Sequence, residues 1–149
     1  MKKYLNIALI YAIAAMAGGV FFREFTKWNG FDGATALGKV HVHLFLLGMV
    51  VFLIVALFAS RSKVADQKTF TWFMRLYNIG VPLMAVMLLV RGIPQVLGMT
   101  LSAGTSAAIS GVAGLSHILI GVGLVLLIVA LKQASADDEQ SALESSARS

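Results

Sequence analysis

Three histidines carry the widest chemistry in this chain: His41 and His43 in "KVHVHLFLLGM", Lys39 to Met49, and His117 in "GLSHILIGVG". Imidazole exchanges a proton near neutral pH, and its neutral form ligates metal ions and haem iron. All three stand inside or at the edge of apolar runs. An ionisable side chain is costly in hydrocarbon, and by default it marks a functional site. The chain has no cysteine. Disulfides, thiolate metal sites and iron–sulfur clusters are therefore excluded, and ligand chemistry falls to histidine, methionine and carboxylates.

The sharpest expectation is bis-histidine ligation of haem b by His43 and His117. A bundle that offers one imidazole from each side leaves a slot for a flat macrocycle. Gly114 and Gly121 lie about one turn to either side of His117, where a missing side chain lets a porphyrin or a helix come close. Arg23, Lys39 and Arg91 fall at the same end as the histidines and suit the haem propionates. Arg91, inside the end of an apolar helix and followed by "GIP", most needs an anionic partner. Positions two apart on a helix point about 200° apart, so His41 and His43 cannot both face one partner. His43 is favoured, and His41 stands as the alternative ligand, as a group that orients a ligand, or as a residue in contact with another subunit. Copper or zinc is the alternative guest, with Met49, Met87 and Met99 as further donors. The bland reading is that the histidines only join helices, for about 0.6 kcal/mol each.

These residues need helices to hold them. Hydrophobic residues make up 58% of the 149, and charged residues 13%, a balance that points to the bilayer as solvent. Four runs have about the length a crossing needs, roughly 20 residues: residues 5–22, 40–59, 72–93 and 111–131. The expected fold is all-α, an integral membrane four-helix bundle. Residues 132–149, "KQASADDEQSALESSARS", read as a polar, disordered tail. Lysine and arginine flank the apolar runs without lining a face, so the net charge of +5 argues topology and not nucleic acid. Lys2, Lys3, Arg61, Lys63, Lys68 and Lys132 share one side, which places both termini in the cytoplasm of a multi-pass inner-membrane protein. The start "MKKYLNIALIYAIAAMAGG" also has the form of a signal peptide. The apolar run continues past "AMA" to Phe22, so the segment is read as a retained span.

The chain matches itself. "HLFLLGMVVFLIVAL" from His43 and "HILIGVGLVLLIVAL" from His117 share the histidine and the terminal "LIVAL" at the same offset. "LIYAI" and "RLYNI" align Tyr11 with Tyr77, which could hydrogen-bond across the bundle or to a ligand, with packing the favoured reading. Two repeated hairpins of the same topology are related by a pseudo-twofold axis along the membrane normal. If the second and fourth helices meet near that axis, the two imidazoles face each other.

Taken together, "GGVFFREFTKWNGF", "LGKVHVHLFLLGM", "FMRLYNIG" and "AAISGVAGLSHILIGVG" resemble a bacterial family of small four-span membrane proteins, a domain of unknown function. The resemblance runs from Tyr4 to Leu131 and implies a fold without an activity. The "HVHLFLLGM" stretch is also similar to haem-copper and nitric-oxide-response membrane proteins. That likeness implies a haem role for His41 or His43, although the other metal-site histidines of the large oxidases are missing.

The function expected is electron transfer, or sensing or handling of a diatomic gas. A haem-free metal or proton component and a structural or assembly subunit are the rivals. The partners expected are the lipid bilayer and either a redox protein or a second copy. No nucleophile triad, phosphate loop or paired carboxylate motif is present, so hydrolase and NTPase chemistry has no support.

Overall fold

A computed structural model describes residues 1–147. It contains four long helices, which we label α1 (Lys2–Trp28), α2 (Leu37–Ala59), α3 (Lys68–Val96) and α4 (Ala103–Ala147). A single 3₁₀ turn, Lys63–Asp66, joins α2 to α3. Among the described residues there is no strand. Each of the four helices is long and apolar enough to cross a membrane. They outrun the apolar windows because backbone hydrogen bonding continues into the polar flanks.

The helix ends follow local chemistry. α1 and α3 both stop at a glycine in the left-handed region, Gly30 (φ +59°) and Gly98 (φ +65°). The next residue then bonds five positions back in each case. Phe31 N–H reaches the Thr26 carbonyl at 3.0 Å, and Met99 N–H reaches that of Pro94 at 2.9 Å. This capping satisfies carbonyls that the helix end would otherwise leave open. α4 begins behind Ser102, whose Oγ accepts from Thr105 N–H at 3.1 Å, as an N-cap serine does.

The segment from Lys132, expected as a disordered tail, continues α4 as far as Ala147. Alanine, glutamine, glutamate and leucine there favour helix. Its first turns are tied to the start of α3 by Thr69 Oγ1 to Gln133 Oε1 at 2.6 Å and Gln67 Nε2 to Asp137 Oδ2 at 2.7 Å. Residues 148–149 of that expected tail lie outside the described residues.

α1 packs along α2, α3 packs along α4, and α2 meets α3. The centre is aromatic. Tyr11 of α1 stacks on Phe52 of α2, with ring centroids 5.7 Å apart, and Phe52 meets Phe73 and Tyr77 of α3 at 6.2 and 6.1 Å. Each such pair contributes about 0.5–1.5 kcal/mol beyond the area it buries. At the end that carries the histidines, the α1–α2 loop is fastened to α3. Thr35 Oγ1 donates to the Gly92 carbonyl at 3.1 Å, and Ala36 N–H donates to Gln95 Oε1 at 2.8 Å.

Candidate functional site

The buried residues of α2 include a line with steps of four, Val40, Leu44, Gly48, Phe52 and Ala56, with Leu37 and Val55 buried beside it. An α-helix turns every 3.6 residues, so that spacing would drift by about 160° between Val40 and Ala56. The drift is absorbed in a π-helical stretch, Leu44–Val50, where each N–H reaches back five residues and the turn is wider. A widened turn misaligns backbone groups, and here one carbonyl is used by a neighbour. The hydroxyl of Tyr77, fully buried on α3, donates to the Leu47 carbonyl at 2.8 Å. Next to it Gly48 lies under the ring of Tyr11, where any Cβ would overlap the ring atoms. α4 has no such turn. Its buried residues, Ser116, Ile120, Gly123, Leu127, Ala130 and Ala134, alternate steps of four and three, as a regular helix requires.

This difference decides where the histidines point. Relative to the buried line of Val40 and Leu44, His41 sits about 80° to one side and His43 about 80° to the other. Relative to Ser116 and Ile120 on α4, His117 sits about 80° to the same side as His41. The sequence register pairs His43 with His117, whereas helical phase pairs His41 with His117. The extra residue in the wide turn is the cause. The Gly38–His41 and Gly114–His117 spacings agree with the phase.

Each histidine has distinct surroundings. His41 faces α1. Its ring lies nearly parallel to Phe22 (16°) at a centroid distance of 6.4 Å and only 3.6 Å from where a Cβ on Gly19 would stand. Its Nδ1 is buried without a hydrogen-bond partner among the described residues. His43 lies on the flank of α2 away from α1, and its Nδ1 is 2.8 Å from the Lys39 carbonyl. It borders a shallow groove of about 180 Å³ with Val42, Leu46 and Leu47. His117 is exposed on α4, and its Nδ1 is 2.7 Å from the Ala113 carbonyl. A carbonyl only accepts, so in both bonds Nδ1 carries a proton, and the neutral form of either ring has its lone pair on Nε2.

Gly114 and Gly121 flank His117 on the open side of α4, and a Cβ at either would meet nothing within 4 Å. Arg91 binds across to α4, with Nη2 donating to Ser110 Oγ at 2.7 Å and to the Ser106 carbonyl at 3.3 Å. Ser110 stands two turns from His117 toward the same helix end. Arg23 remains at the surface, its side chain 79% exposed and 3.8 Å from Glu24. Among the described residues no hydrogen bond links His43 to His117, and each ring bonds within its own helix. α4 packs on α3, and the main neighbours of α2 are α1 and α3. Among the described residues no three His, Cys, Asp or Glu side chains are grouped as a metal ion would need.

The residues that set this arrangement, Tyr77, Leu47 and Gly48, were not expected as site residues. The alignment of Tyr11 with Tyr77 is the sequence signal that touches them; packing is its favoured reading, and the hydrogen bond across the bundle that the sequence also allows is the one Tyr77 makes.

A family model described as "Protein of unknown function (DUF2871)" matches residues 1–134. The chain belongs to this family. The match covers all four apolar spans and the three histidines, and it agrees with the domain of unknown function that the sequence resembles. No curated protein matches the chain, and no solved structure does. The likeness to haem-copper proteins accordingly gains no support from relatives.

Proposed function

We propose that this DUF2871 chain is a four-span membrane protein, built from two repeated hairpins, that binds one haem b through His43 and His117. It works in electron transfer or in handling a diatomic gas. The observation that carries this reading is the shared anchoring of the two rings. Both give Nδ1–H to the carbonyl four residues back on their own helix. A ligating histidine is usually held this way, since the bond fixes the tautomer and aims the other nitrogen at the metal. The donor set also suits haem better than a bare ion. A porphyrin brings four nitrogens of its own and needs only two from the protein, whereas zinc or copper needs three or four side chains.

The open space beside Gly114 and Gly121 suits a flat ring lying against α4. α3 touches both histidine helices, and bis-histidine ligation would need both rings to close on one iron beside it. Arg91 crosses from α3 to α4, and it is the cation that would meet a propionate. When bound, the haem supplies the redox or gas chemistry. The chain supplies two imidazoles, a cation and an apolar surround.

The test is the absorption spectrum of the detergent-purified protein, oxidised and reduced, after expression with ample haem. A Soret band that is lost in both His43→Ala and His117→Ala is expected. No band in the parent protein overturns the haem reading, and a band that survives in both variants overturns the choice of ligands.

A further inference from the structure

We infer that Tyr77 is a positioning residue for the histidines of α2, because its hydroxyl holds open the wide turn that sets their direction. Where it concerns His43 as a ligand, this rests on the haem reading; the positioning itself does not.

Consider α2 without the wide turn. With Phe52 fixed in the core, an unbroken α-helix would carry His41 and Phe45 to within about 20° of the direction of Phe52. His43 would point about 180° from it, straight away from the bundle. In the structure, the buried positions are instead Val40 and Leu44. The wide turn therefore takes His41 out of the core and brings His43 from the outermost position round to a flank. Two groups hold it in place. Tyr77 Oη–H supplies a donor to the Leu47 carbonyl at 2.8 Å, and the bare Gly48 admits the ring of Tyr11. π turns are rarer than α turns and gather at functional sites. A buried hydroxyl committed to a carbonyl inside one is a specific brace.

The absence of cysteine allows a direct measurement. Single cysteines at positions 40 to 47, spin-labelled one at a time, report oxygen accessibility by paramagnetic resonance in lipid. The parent is expected to show minima at 40 and 44 and maxima at 42 and 46. In Tyr77→Phe the turn closes, the minima move to 41 and 45, and the maximum moves to 43. Minima that stay at 40 and 44 overturn the proposal.

Deletion of Leu46 is the second arm. It removes the extra residue, so a regular helix again buries 40 and 44, and Tyr77→Phe in that background is expected to leave the pattern unmoved. If Tyr77→Phe alone fails to fold, recovery on deletion of Leu46 supports the proposal, and failure to recover overturns it. None of these readings needs haem. A colourless protein with the expected shift would sink the haem reading and leave the role of Tyr77 standing. An unmoved pattern in a red protein would do the opposite.

Discussion

Gly123 of α4 lies directly under the ring of Tyr77, where an added Cβ would stand 2.9 Å from Cδ2 and 3.2 Å from Cβ of the tyrosine. Gly48 of α2 bears the same relation to Tyr11. Overpacking a fixed ring costs about 1–3 kcal/mol. Gly123→Ala and Gly48→Ala are expected to lose that much stability, measured by SDS titration in micelles with helicity as the signal. Gly121→Ala, with open space around it, is expected to be neutral or to gain up to about 1 kcal/mol of helix propensity. Equal losses at all three would show that ring contact is not what these positions supply.

Tyr77→Phe keeps the ring and removes one donor, leaving the Leu47 carbonyl without the partner it has at 2.8 Å. Closure of the turn gives that carbonyl a backbone N–H again, so the net loss is that of one hydrogen bond, about 0.5–1.5 kcal/mol. The same titration is expected to show that loss. Tyr4→Phe, which keeps the edge-to-face contact with Phe70, is expected to change stability by less than about 0.5 kcal/mol.

His41 presents, beside Phe22, a buried Nδ1 with no partner among the described residues. His41→Phe keeps the stacked shape and removes the unsatisfied nitrogen, so stability is expected to hold or rise. His41→Ala leaves a gap against α1 and is expected to destabilise by about 1–3 kcal/mol. Any haem is expected to stay bound in both. Loss of a Soret band in His41→Phe would make His41 a ligand.

Arg91 ties α3 to the first turns of α4 through Ser106 and Ser110. A hydrogen bond from a charged donor contributes about 1.5–3 kcal/mol, and partial exposure puts this one at the low end. Arg91→Gln is expected to speed amide hydrogen exchange in residues 103–110 and leave α1 unchanged. Uniform acceleration along the chain would mean that Arg91 acts on global stability instead.

Arg23 is a contrasting cation. It is largely exposed and only 3.8 Å from Glu24, and such surface pairs are worth about 0–1 kcal/mol. Arg23→Gln is expected to shift stability by no more than about 0.5 kcal/mol and to leave any Soret band in place. A weakened band would assign Arg23 to the edge of the haem site.

The sequence by itself determined the class of the chain, the number of helices and the end at which the histidines gather. Apolar runs of crossing length, interrupted by "REFTKWNGFDGATALGK" and "SRSKVADQKT", admit few other readings. Gly30 and Gly98 mark where two of the helices stop. The sequence could not say which way each histidine points. A helix apolar all round has no polar face to give its phase away, so Val40 and Leu44 cannot be told from Val42 and Leu46 by residue type. The self-match of "HLFLLGMVVFLIVAL" with "HILIGVGLVLLIVAL" implies equal phase only if both helices have the same pitch. Tertiary packing decided otherwise. A tyrosine hydroxyl 30 residues downstream finds a carbonyl inside α2, the helix widens there, and one extra residue makes His41, not His43, the residue of α2 in the same helical phase as His117 on α4.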